Sequence, residues 1–127
     1  MYRIVILGAA LALCGCSEPK LLPMAATPES SRAALTTVLD GWKAGRTVQE
    51  LAALDPPVKF VDDDINRGSR LVEYRIEGDG RPRGTGFSYV VTLTLQDKDG
   101  GKSRTKRVAY TAVTEPGHAI TREDRQP

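Results

Sequence analysis

The chain has 127 residues, 40% hydrophobic and 27% charged, with a formal net charge of +2 at neutral pH. A balance this close argues against a dedicated nucleic-acid binder, which carries a marked basic excess. The 6% of aromatic residues restricts any stacking platform for bases or sugars, and the length suits one small domain.

At the N-terminus Arg3 supplies a positive charge, and residues 4–13 form an uncharged apolar run. A run of about 10 residues fits a secretion-signal core and is too short to cross a ~30 Å hydrocarbon layer. Leu13-Cys14-Gly15-Cys16 resembles the bacterial lipobox: an aliphatic residue, a tolerant position, a small residue, then the cysteine. Cys14 does not suit the lipidated position, because bulky Leu13 precedes it; Cys16, preceded by Gly15, does. The resemblance implies cleavage before Cys16, a diacylglyceryl group on its thiol, and acylation of the new amino end by a fatty acid such as palmitate. At ~0.8 kcal/mol per buried methylene, two or three chains hold a protein where one does not.

The expected organisation is a signal peptide over residues 1–15, a lipidated cysteine and tether over 16–27, and a domain over 28–124. The expected location is the cell envelope. Ser17 stands where an aspartate would favour inner-membrane retention, which points to the outer membrane or a periplasm-facing position. Both cysteines of the sequence fall within this address. The remainder then has no thiol for a disulfide, a redox pair or a thiolate metal site.

Residues 17–27 carry prolines and no clear period and read as a tether, although Leu21, Leu22 and Met24 could dock onto the domain or lipid. Thr27, Pro28 and Glu29 then supply an N-cap, a first-turn proline and an acid at the positive end of a helix dipole. Ala34, Leu35, Val38, Leu39 and Trp42 form one apolar stripe at helical spacing, and Gly45 is a suitable stop. Thr47 with Glu50 is a capping-box pair opening a short second helix, with Leu51 and Leu54 inward and Asp55-Pro56-Pro57 as its end.

Beyond the prolines the period becomes two. Residues 58–61 and 71–77 read as strands, the latter with Val72, Tyr74 and Ile76 on one face. Residues 87–96 place Phe87, Tyr89, Val91, Leu93 and Leu95 on one face, and Ser88, Thr92 and Thr94 on the other. Residues 97–101 supply turn chemistry, 103–113 return, and 118–122 read as a short edge strand. The expected fold is α+β: a long N-terminal helix and a short one on a curved antiparallel meander of four to five strands.

Val38-Leu39-Asp40-Gly41-Trp42-Lys43-Ala44-Gly45, followed by a short helix and Asp62-Asp63-Asp64, resembles the opening of nuclear-transport-factor-2-like domains. The resemblance covers residues 27–64 as sequence and the rest as order of elements. A cystatin-like sheet wrapped around one helix describes the pattern equally well. Such domains carry a further helix between early strands, for which residues 65–70 offer the only room, so the resemblance implies a shallow cone. In its steroid- and polyketide-acting members a carboxylate and a tyrosine or histidine work inside the cone. That makes Trp42, Tyr74, Tyr89 and Tyr110 the candidate pocket residues and Asp40 a candidate acid, while leaving no acid placed opposite a tyrosine. The plain reading of the tyrosines is packing with a hydrogen-bonded hydroxyl.

Asp62, Asp64, Asn66 and Glu73 hold the first, third, fifth and twelfth places of a calcium-loop spacing. Arg67 occupies the place that needs glycine, so a solvated loop is expected there instead. His118, the single histidine, is expected in an exposed turn after Pro116-Gly117. Residues 78–86 read as a flexible, partly basic connection that could contact anionic lipid or a partner. Lys102, Arg104 and Lys106 share one face of a strand end and Arg107 the other, the plain reading being an exposed edge. No hydrolase elbow, phosphate loop or paired histidine occurs. No catalytic residue, metal or cofactor is therefore assigned. The expected role is a membrane-anchored, non-enzymatic module for an envelope protein or small ligand, with a small-molecule binder or isomerase-like enzyme as the alternative.

Overall fold

The computed structural model describes residues 27–124. The first helix, α1, spans Pro28–Lys43. Thr27 caps it: its hydroxyl accepts from the Ser30 amide at 3.0 Å while Ser30 Oγ accepts from the Thr27 amide at 3.0 Å. Two otherwise orphaned amide donors are thus satisfied reciprocally. A second box at Thr47 and Glu50 opens α2, Val48–Ala52.

Four elements follow in turn: β1 (Val58–Val61), α3 (Asp63–Asn66), β2 (Arg70–Arg83) and β3 (Gly86–Gln96), and then β4 (Ser103–Val113) and β5 (His118–Arg122). They build a five-stranded sheet in the order β1-β5-β4-β3-β2, giving an α+β architecture. β2 to β5 form the antiparallel meander that alternation and turn residues indicate. The sheet as a whole is mixed, however, because β1 pairs with β5 in parallel. After β1 the chain turns through α3 to the far edge of the sheet, and the meander works back until β5 lies beside β1. β5 is consequently an interior strand, not an edge. His118 is half-buried there, opposite Val58, rather than free in a turn.

Two further expectations are corrected at β2. The segment 78–86 is not a long loop: β2 runs to Arg83 and β3 begins at Gly86, leaving a two-residue turn. A bulge between Glu77 and Arg81 absorbs the extra residues and brings Gly80 onto the Tyr89 ring, where a Cβ would lie 2.5 Å from Cζ. A second bulge, between Leu71 and Glu73, breaks the expected Val72–Tyr74–Ile76 face. Leu71 is buried, Tyr74 and Ile76 pack against the core, and Val72 is left 44% exposed.

The α1 stripe covers the sheet face that carries Tyr89, Val91, Leu93 and Leu95 of β3, all buried. Each such side chain contributes about 1.5–3 kcal/mol on leaving water. Trp42 meets Phe60 edge-on at 5.8 Å between ring centroids, and Phe60 meets Tyr110 at 5.9 Å. No helix among the described residues is long and apolar enough to cross a membrane.

Candidate functional site

The three strand tyrosines each find a partner for their hydroxyl. Tyr89, on β3 beneath the start of α1, donates to the Pro28 carbonyl at 2.8 Å and lies 2.8 Å from Ser31 Oγ. Tyr110, on β4, donates to Asp62 Oδ2 at 2.5 Å, and Tyr74, on β2, donates to Asp40 Oδ1 at 2.6 Å. Two acids thus stand against tyrosines, a pairing that sequence reasoning did not place. The two pairs differ in access. Tyr110 and Asp62 are 0% and 1% exposed and line none of the clefts described below, whereas Tyr74 and Asp40 meet near the surface. Burial, then the Asp62 carboxylate, pushes the Tyr110 hydroxyl far above its ordinary range. Burial and the bond to Asp40 push Tyr74 up to about 12.

Asp62 and Asp64 are held in place by α3 itself. Asp62 caps that turn, with Oδ1 accepting from the Asp64 amide at 2.7 Å and the Ile65 amide at 3.1 Å. The turn drives Asp64 into the protein, where it is 0% exposed. There Arg104 reaches it at 3.1 Å, Lys106 at 3.0 Å, and Arg122 makes a third ion pair. Burial alone would raise the Asp64 carboxyl, but the hydrogen bonds and charges of Arg122 and Lys106 outweigh it and hold the group below its usual range. The stretch expected to be a solvated loop is therefore a buried ionic knot joining α3 to β4 and β5.

That knot disperses the calcium-like spacing. Asp62 and Asp64 are engaged by Tyr110 and three cations, Asn66 ends α3 at the surface, and Glu73 lies on β2, 3.3 Å from Lys43. Among the described residues no three His, Cys, Asp or Glu side chains gather around a point that could take an ion. The strand-end basic patch divides as its alternation implies. Arg104 and Lys106 turn towards Asp64, while Arg107 takes the other face and bonds Glu77 at 2.7 Å. The alternation was visible in the sequence; that a buried aspartate waited at one face was not.

Among the described residues, three surface hollows stand out. The first, about 710 Å³, lies on the sheet face away from α1, floored by Val90 and Ala109. Its charges largely answer one another, Arg83 with Glu123 at 2.9 Å and Arg107 with Glu77. The second, about 590 Å³, opens between the end of α1, the start of α2 and the stretch from α3 to β2. Trp42 forms its wall, fixed by an indole hydrogen bond to the Ser69 carbonyl at 3.0 Å. Lys43, Arg46 and Arg70 line it, together with Gln49 and Asn66, and no carboxylate does. The third, about 340 Å³, borders Asp40 and Leu54. Of the four candidate pocket residues, Trp42 alone lines one of these hollows, and the structure does not bring it together with the tyrosine hydroxyls. Cys16, the candidate lipidation site, lies outside the described residues.

Comparisons of the chain with family models, with curated proteins and with solved structures returned no match.

Proposed function

We propose that the chain is a lipid-anchored protein of the bacterial cell envelope whose domain is a non-enzymatic binding module for a small ligand or an envelope protein. The observation that carries the anchor is the order Arg3, an apolar run over residues 4–13, and its end in Leu13-Cys14-Gly15-Cys16. Support for a binding module comes from the interior. The buried acid–tyrosine pair is sealed by Phe60 and Arg122 instead of facing a cavity. Every buried side-chain polar atom among the described residues has a partner within the protein.

A second reading, an isomerase-like enzyme with a shallow nuclear-transport-factor-2-like pocket, draws on the Asp40–Tyr74 pair, since Asp40 borders the 340 Å³ hollow. The Tyr74 hydroxyl donates its hydrogen bond to Asp40 itself at 2.6 Å, so the donor and the acid satisfy each other, which weakens this reading.

Labelling cells with an alkyne fatty acid, in wild type and Cys16→Ala, tests the anchor. The expected outcome is label on the wild-type chain alone, with the variant lost from the membrane fraction. Equal label on both removes the lipid-anchor reading.

A further inference from the structure

We infer that the cleft beside Trp42 binds a small soluble organic anion through a phosphate or carboxylate group. The inference deepens the binding-module reading and rests on it. Several cations of this domain are answered by acids: Arg104, Lys106 and Arg122 by Asp64, Arg107 by Glu77, Arg83 by Glu123. The Trp42 cleft gathers cations in one hollow that no carboxylate lines. Among the described residues neither Arg46 nor Arg70 forms an ion pair, while Lys43 pairs at 3.3 Å with Glu73, which stands outside the lining.

Three cations on one concave surface, one of them shared with Glu73 outside the lining, leave a net positive potential there. Two of them are guanidinium forks, whose planar donors match the paired oxygens of a carboxylate or phosphate. A bare ion would not use the rest of the site. The hollow, about 590 Å³, falls within the usual range for small-molecule sites, ~300–1,000 Å³. The side chain of Ile65 offers apolar contact to an organic body, Trp42 borders the cleft at 3% exposure, and the Gln49 and Asn66 amides offer orienting hydrogen bonds. Position argues for a soluble ligand over a lipid headgroup. The cleft sits at the far end of α1 from Thr27, where the chain enters the domain, and at 1.5 Å per residue that helix is about 24 Å long.

The protein carries a built-in reporter, because Trp42 is the only tryptophan in the sequence. The full chain, purified in non-ionic detergent, is titrated with glycerol phosphate, inorganic phosphate and succinate while tryptophan emission is followed. Sodium chloride at equal ionic strength is the blank. The expected result is a saturable change with glycerol phosphate or succinate that the salt blank does not reproduce. Arg46→Glu and Arg70→Glu should each weaken it by about tenfold to a hundredfold, the scale of a lost charge-assisted contact. Arg75→Glu, on β2 outside the cleft, should leave it unchanged. Both cleft arginines are exposed, and unchanged melting temperatures of the variants confirm that they fold. No saturable change with any of the three anions, unaltered affinity in both cleft variants, or a response to phosphatidylglycerol vesicles alone overturns the inference. Fatty-acid labelling is blind to the cleft, so the anchor and the anion site fail separately.

Discussion

The hydroxyl of Tyr110 on β4 donates to the carboxylate of Asp62 at 2.5 Å, and beside the ion pairs of Asp64 this contact fastens the cap of α3 to the middle of the sheet. Asp62 also accepts two backbone amides, so the Tyr110 hydroxyl completes a carboxylate that water does not reach. Hydrogen bonds to a charged group contribute about 1.5–3 kcal/mol. Tyr110→Phe should therefore lower unfolding free energy by about 2 kcal/mol in urea titrations, with little change in far-ultraviolet circular dichroism. A loss below about 0.5 kcal/mol would mean that the contact does not support the fold.

Asp64 makes the protein sensitive to acid. Its carboxyl is held below the ordinary range in the folded state, whereas an unfolded aspartate titrates near 3.8. A depressed folded value contributes stability above the unfolded one and loses it as pH falls through the folded one. The contribution is therefore intact above about pH 4 and disappears below it. Asp64→Asn should cost about 3 kcal/mol at pH 7, because Lys106 loses its carboxylate and Arg104 and Arg122 keep only Asp97 and Asp62. The variant should also lose less stability than wild type between pH 4 and pH 2.5, a comparison that denaturant midpoints at each pH provide.

Tyr74 supplies the alkaline counterpart. Its hydroxyl is pushed from 10.0 up to about 12, first by burial and then by the bond to Asp40. A raised folded value contributes stability below the unfolded one, and that stability is lost as pH rises from 10 towards 12. Spectrophotometric titration should show Tyr74 ionising near 12 in wild type and closer to 10 in Asp40→Asn. The return should be incomplete, since burial remains. Tyr110 should not ionise before the protein unfolds.

Gly86 opens β3 with its Cα directly against β4. A side chain there would drive a Cβ into the Ala112 carbonyl oxygen, and backbone in a paired strand cannot step aside. Gly86→Ala should destabilise the domain by about 3 kcal/mol, at the upper end of the usual cost of overpacking. Gly84→Ala, in the adjacent turn where nothing stands within 4 Å of a built Cβ, should cost less and only through its positive φ of 58°. Thermal melts of the pair separate contact from conformation.

These residues also show how far the sequence could be read. The start of α1 is legible because Thr27 and Pro28 act on the few amides next to them, and β3 because strict alternation reports one buried face. The parallel placement of β1 beside β5 is not legible, since pairing across sixty residues leaves no mark on local periodicity. The bulge that exposes Val72 and the one that carries β2 through Gly78 are equally hidden, as each depends on the neighbouring strand. At the candidate site, Trp42 was marked by its place on an apolar stripe. Arg46 and Arg70 were not, because they become neighbours only when the turns after α1 and α3 close around the indole. Asp62 and Asp64 drew notice as ligands for a cation, and the cations they bind belong to the protein itself.

The intact mass of the protein recovered from bacterial membranes tests the account most directly. The account predicts a polypeptide beginning at Cys16, heavier than residues 16–127 alone by a diacylglyceryl group and one further acyl chain. A mass that includes Met1, or one whose first residue lies beyond Cys16, contradicts it.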